Sequence, residues 1–264
     1  MRVTMTSVPA RPGRVNEDFI GAVPGAAVLI DGAGIPGTEA VCRHGVAWYA
    51  GRLGGSLLGL LPLAPGRSLA ALLAEAIERV TEAHRDTCDV ADPIAPSAAV
   101  AVVRTSGGYV DHLVLGDAVL VLDVPDGTPV VVSDPREEAV CRPYRSALEA
   151  LPDDGEEYRR LLRDMRAHRN RHGGFWVAKD DPRAADQAIT GSRPVSEVTG
   201  VALLSNGAAR VVDPFRLAGW PEVLATLASR GPDDIVRRVR QAESRRGVTA
   251  DDATIAYCTG VDKA

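Results

Sequence analysis

Four short acid-bearing segments, far apart in the chain, carry the residues that could do chemistry. They are Arg14-Val15-Asn16-Glu17-Asp18, Val28-Leu29-Ile30-Asp31-Gly32-Ala33-Gly34, Leu115-Gly116-Asp117 and Asp251-Asp252-Ala253-Thr254. Three of them follow or enter a short apolar run, the pattern of a strand end delivering an acid to a shared place. Clustered carboxylates repel one another and persist only with positive charge between them. Hard oxygen donors with no accompanying His/Cys set point to magnesium or manganese. If Asp31 bridges two such ions, a water between them ionises near neutral pH and can attack a phosphoryl group. Arg14, four residues before Asp18, is then placed to clamp a phosphate with its planar fork. Taken singly, each segment has a plainer reading: Asp31-Gly32 and Gly116-Asp117 as turns, Asp251-Asp252 as a cap, Asn16-Glu17-Asp18 as a surface loop, Arg14 as a solvated side chain. Their joint occurrence at strand boundaries favours the chemical reading.

The elements that must position these acids fall into blocks. The N-terminal segment, punctuated by Pro9, Pro12 and Gly13, fits a strand, a turn and a second strand ending at Ile30. Thr38 to Leu61 reads as one helix with Val41, Val46, Trp48, Leu53 and Leu57 inward, and Leu69 to Cys88 as another. Ser97 to Val132 reads as a β-meander with turns at Gly107-Gly108 and Asp126-Gly127. Arg145 to Arg171 is helical and dense in charge. Val201 to Leu204 is a buried strand. Helices near Trp220–Ser229 and Pro232–Ser244 precede a last strand, Thr254 to Tyr257. Helices flanking strand groups in blocks, rather than alternating with each strand, predict a layered α+β fold.

The chain has 264 residues, 45% of them hydrophobic, which suits one domain over 1–264 with a sizeable core. A net charge of -5 argues against nucleic acid as a partner. No apolar run reaches the roughly 20 residues of a membrane span, so no membrane partner is expected. Met1-Arg2-Val3-Thr4 runs straight into a strand-like segment, which reads as cytoplasmic. The four cysteines, Cys42, Cys88, Cys141 and Cys258, match no zinc spacing and read as reduced core thiols. His84 and Cys88 stand at i,i+4 on one predicted helix face, with no third ligand evident, and read as packing. His44 reads as structural, and His168 with His172 as a solvated helix face.

In series, these motifs resemble those of the metal-dependent Ser/Thr protein phosphatases of type 2C, the PPM family. The resemblance runs from Arg14 to Tyr257. It rests on Arg14 with Asn16-Glu17-Asp18, Asp31-Gly32-Ala33-Gly34, Gly116-Asp117-Ala118, Ser205-Asn206-Gly207 and Asp251-Asp252-Ala253-Thr254. It implies a four-layer α-β-β-α sandwich of two antiparallel sheets flanked by helices. It also implies a centre of two manganese or magnesium ions. There Asp31 bridges, the Gly32 carbonyl binds one ion, and Asp18 and Asp251 hold the other side, with Glu17 and Asp252 supporting. Asp117 matches the position that contributes to a third, weaker site in bacterial members. Residues 134–188 occupy the place of the family's flap, here longer and more basic, with Tyr158, Arg159, Arg163, Arg166 and Arg169. A solvated helix face with pairs such as Glu156–Arg160 is the plainer reading of that charge.

Two positions depart from the family pattern. Asn206 stands where the family has a ligand aspartate; its amide oxygen can still reach a metal, but the cage loses one negative charge. Ala118 replaces the usual serine. The expected function is a metal-dependent phosphomonoesterase acting on a phosphorylated protein at Ser or Thr, by two-metal activated water attack. Two alternatives stand beside it: a pseudophosphatase that binds a partner, motivated by Asn206, and a phosphatase of a small-molecule phosphoester.

Overall fold

The computed structural model describes residues 1–261 apart from Asp126, Asp153 and Asp154, and only the backbone of Glu149. In chain order the strands are β1 (Arg2–Val8), β2 (Phe19–Val23), β3 (Ala26–Ala33), β4 (Ser97–Ser106), β5 (Tyr109–Leu115), β6 (Val119–Asp123), β7 (Val130–Val132), β8 (Ile189–Pro194), β9 (Gly200–Leu204) and β10 (Ala253–Thr259). The helices are α1 (Thr38–Val41), α2 (Val46–Leu60), α3 (Leu69–His84), α4 (Arg136–Glu149), α5 (Glu156–Arg166), α6 (Asn206–Ala209), α7 (Trp220–Arg230) and α8 (Pro232–Arg246).

Among the described residues the strands form two antiparallel sheets, ordered β1-β10-β9-β6-β7 and β2-β3-β4-β5-β8. Period-two alternation splits each central strand between two cores. In β3 and β4, Ala27, Leu29, Ala99, Ala101 and Val103 face the opposite sheet and meet Leu120, Leu203, Ala256 and Cys258. Val28, Ile30, Val100 and Val102 face outward, where Leu53 and Leu57 of α2 and Leu72, Leu73 and Ile77 of α3 cover them. On the far side Ala202, Leu204, Ile255 and Tyr257 pack under Leu224, Leu227, Ile235 and Val239 of α7 and α8. Burial on both faces is why these strands read as continuous apolar runs. The result is the four-layer α-β-β-α sandwich.

Several boundaries differ from expectation. The N-terminal region holds three strands, because β1 joins one sheet while β2 and β3 form a hairpin in the other. Asp31 lies inside β3, paired with Ala99, rather than beyond its end. The expected helix from Thr38 to Leu61 is broken: Cys42 is extended and α2 restarts after Gly45. The Thr38 hydroxyl bonds the carbonyls of Ile35 and Ile94, pinning α1 in place. α3 starts on a Ser68 cap, whose hydroxyl accepts from the Ala71 amide, and ends at His84, short of Cys88. The expected meander changes sheets, with β4 and β5 in one and β6 and β7 in the other. Asp126 of the expected Asp126-Gly127 turn lies outside the described residues. The charged segment is two helices, α4 and α5, not one.

Candidate functional site

Asp18, Asp31, Asp117 and Asp251 come together at one end of the sandwich. Asp18 precedes β2, Asp31 is in β3, Asp117 follows β5 and Asp251 precedes β10. Each arrives on a different segment, and strand pairing sets their common level. Burial raises the Asp31 carboxyl well above its ordinary range, and the charges of Asp18, Asp117 and Asp251 raise it further. Burial pushes Asp18 up to about 7, reinforced by Asp252 and Asp251 and opposed by the Thr254 and Ser205 hydroxyls. Asp18 Oδ2 is buried with no hydrogen-bond partner. An unpaired carboxylate oxygen among like charges is an unsatisfied acceptor, and a cation compensates both the missing partner and the repulsion.

Asn206 sits between two of these acids. Its backbone N–H donates to Asp31 Oδ2 at 2.6 Å and its side-chain amide donates to Asp117 Oδ2 at 2.7 Å. An ionised carboxylate only accepts, so the nitrogen, not the oxygen, of the Asn206 amide faces Asp117. Asp117 is raised by burial, with the Asn206 hydrogen bond and Arg166 lowering it.

Asp252 performs a different task. It is buried, and its two oxygens accept from the backbone N–H groups of Ala10, at 2.7 Å, and Glu17, at 2.6 Å. It therefore ties the Glu17-Asp18 segment to the start of β10. Asn16 adds to the tie: its amide donates to Ser7 Oγ at 2.8 Å and its oxygen accepts from the Asp18 N–H at 3.0 Å. Gly32 and Gly207 are glycines for the same reason. A Cβ on Gly32 would overlap the Glu17 carbonyl oxygen, and one on Gly207 would overlap that of Asp252. Only bare backbone lets these segments approach so closely.

Arg14 lies at the rim, its side chain 51% exposed and 3.9 Å from Glu17. Burial raises the Glu17 carboxyl while Arg14 draws it down. The two line a cleft of about 400 Å³ with Gly34, Ile35, Pro36, Thr38, Glu39, Gly45 and Val46.

Three neighbours escaped the sequence reading. Arg210 bonds Asp251 Oδ2 at 3.0 Å and buried Glu243 at 2.8 Å, and so orients Asp251. Its signal was its place one helical turn beyond Asn206. Glu137, in the first turn of α4, is pushed up to about 8 by burial and then by Asp117, with Arg166 opposing. The Asp134-Pro135-Arg136-Glu137 spacing announces a helix start but no site. Arg166 is the third. The solvated-face reading holds for Arg159, Arg160 and Arg163, which are exposed; Arg160 pairs with Glu157 at 3.5 Å, not with Glu156, and Arg163 reaches Asp92 at 3.4 Å. It fails for Arg166 and Arg169, whose guanidinium groups hold buried, unpartnered nitrogens. Arg166 shares a helical face with buried Leu162 and Met165, which turns it inward, while Arg169 lies beyond the end of α5, bridged to Phe175 with its guanidinium over that ring.

No protein-family profile matches the chain, and no curated protein sequence matches it. Solved structures do. PppA of Pseudomonas aeruginosa, described as a key regulatory component of T6SS, is 19% identical, with 97% of this chain and 96% of that one covered and a TM-score of 0.58. The PPM Ser-Thr phosphatase MsPP of Mycobacterium smegmatis, in complex with cacodylate, is 18% identical over 98% of both chains, with a TM-score of 0.59. The fold is that of the PPM phosphatases. The catalytic domain of the serine threonine protein phosphatase PstP, solved with two manganese ions, is 16% identical over 98% of this chain and 97% of that one, with a TM-score of 0.58. At such identities the likeness to PPM structures carries the architecture, and activity rests on this chain's own residues. No helix among the described residues is long and apolar enough to cross a membrane.

Proposed function

We propose that the chain is a divalent-metal-dependent phosphomonoesterase whose substrates are phosphoserine or phosphothreonine in proteins. One observation carries the reading: four carboxylates from remote segments meet in one place, and one of their oxygens, Asp18 Oδ2, is buried without a partner. The donor set is all oxygen, which suits manganese or magnesium. Asp18, Asp31, the Gly32 carbonyl and Asp251 would hold two ions, with Asp117 and Asn206 toward a third. Such ions, when bound, neutralise the acids and activate a water for in-line attack. The two manganese ions of PstP and the cacodylate of MsPP support the same assignment.

The remaining work falls to side chains of this protein. Arg14 at the rim offers parallel N–H donors to two phosphoryl oxygens. Glu17 keeps that guanidinium over the cleft, and Asp252 keeps Glu17 in place through its backbone. Release of phosphate from a phosphothreonine peptide in millimolar manganese tests the proposal. Asp31→Asn should abolish it and Asn206→Asp should raise it. No release by either the chain as it stands or the Asn206→Asp variant would overturn it.

A second reading is a binding module that keeps the fold without turnover. It is favoured by the Asn206 amide on Asp117 and by Arg210 on Asp251, which partly satisfy two acids without any ion. Calorimetry separates the two. Uptake of at least two manganese ions supports the enzyme, and no uptake supports the module.

A further inference from the structure

We propose that Cys42, His44 and Cys88 form a second metal site, for a thiophilic divalent cation such as zinc, separate from the carboxylate centre. Among the described residues, their ligating atoms all lie within 4.8 Å of one another. His44 Nδ1 is 3.3 Å from Cys88 Sγ. Tetrahedral zinc, with bonds of about 2.3 Å to sulfur and about 2.0 Å to nitrogen, needs donors roughly 3.5 to 3.8 Å apart, so the three need little movement.

The helix break after α1 creates this arrangement. It puts Cys42 and His44 on one short loop, and the early end of α3 leaves Cys88 in the turn facing them. The Asp89 N–H donates to the Val41 carbonyl at 2.9 Å, locking loop to turn. The His44 ring is held by stacking on Trp48, with centroids 4.4 Å apart, and His84 packs edge-on to both. Cys42 is buried while His44 and Cys88 are half-buried, so an ion can enter. Two thiolates and an imidazole select zinc over the hard cations suited to the acid cluster. The fourth position falls to solvent. Thr38, Glu39, Gly45 and Val46 flank this loop and line the Arg14 cleft, so an ion here would stiffen one of its walls.

Cobalt(II) titration of the full chain, reduced and stripped with chelator, tests this independently of any activity. Oxygen ligands give no thiolate-to-cobalt charge transfer, so the carboxylate centre is silent in that band. The expected result is a near-ultraviolet band saturating at about one equivalent and displaced by zinc. Cys42→Ser and Cys88→Ser should each remove at least about half of it, and His44→Ala should weaken cobalt binding about tenfold or more. Asp31→Asn should leave the band intact. Should the cysteine variants fail to fold, thiol reactivity of the unaltered chain gives the same answer: zinc should protect the accessible Cys88 from Ellman's reagent, and in urea short of unfolding Cys42 as well. Absence of the band in the folded, reduced protein, its survival in the double cysteine variant, or zinc protection of no thiols would each overturn the site.

Discussion

The side-chain amide of Asn206 donates to Asp117 at 2.7 Å, so a neutral residue stands where another acid would add repulsion. Replacing it with aspartate removes that donor and adds charge beside both Asp117 and Asp31. Without metal, Asn206→Asp should be less stable by about 1–3 kcal/mol. With manganese the order should reverse, because the added carboxylate binds cations. Melting temperatures with and without manganese check both halves; a variant melting like the parent in both conditions would refute the argument.

Asp252→Ala should cost about 2–4 kcal/mol, since two backbone N–H groups, of Ala10 and Glu17, lose a charged acceptor. Urea denaturation reads the loss. Phosphate release, if the proposed function holds, should fall with it, because the Glu17-Asp18 segment loses its tie to β10.

The acid cluster sets a pH dependence of definite sign. Asp18 keeps its proton in the folded chain up to about 7, whereas its ordinary value is 3.8. Asp31 is raised in the same direction. Between those limits the folded state holds more protons than the unfolded one, so stability falls as pH rises. The metal-free protein should therefore melt lower at about pH 8 than at about pH 5. Saturating manganese should flatten or invert that slope, because cations replace the protons. Differential scanning calorimetry in chelator and in manganese gives both slopes.

Gly32→Ala should be costly although its change is one methyl group. The new Cβ overlaps the Glu17 carbonyl oxygen and crowds Val46. A loss of about 1–3 kcal/mol follows from overpacking. Manganese affinity should fall as well, since Glu17-Asp18 must move away. Calorimetric titration showing unchanged affinity would place Gly32 outside the cluster.

The acids were legible because each adjoins an apolar run: Asp18 and Asp251 stand before a strand, Asp117 stands after one, and Asp31 follows the apolar residues of β3 while still paired within it. The sandwich was legible from block order and from the residues shared with PPM phosphatases. β8 was not: Ile189-Thr190-Gly191-Ser192-Arg193-Pro194 is partly exposed, carries a glycine and a proline, and lacks an apolar stripe. Nor was the sheet change after Leu115, since both sheets accept the same alternation. Glu137 and Arg166 were missed because a charge on a helix looks solvated until tertiary packing fixes its direction. Cys42, His44 and Cys88 were hidden by a helix reading that ran through Cys42 and past His84, which would have kept the three apart.

β1 and β10 are neighbours, with Arg2 opposite Thr259 and Val8 opposite Ala253. On the ribosome the first strand of this fold must wait for its last. Until then Asp251 and Asp252 are missing, and the amides of Ala10 and Glu17 have no acceptor. A nascent fragment thus cannot assemble the acid cage, and any hydrolytic competence switches on only when synthesis of this fold is essentially complete.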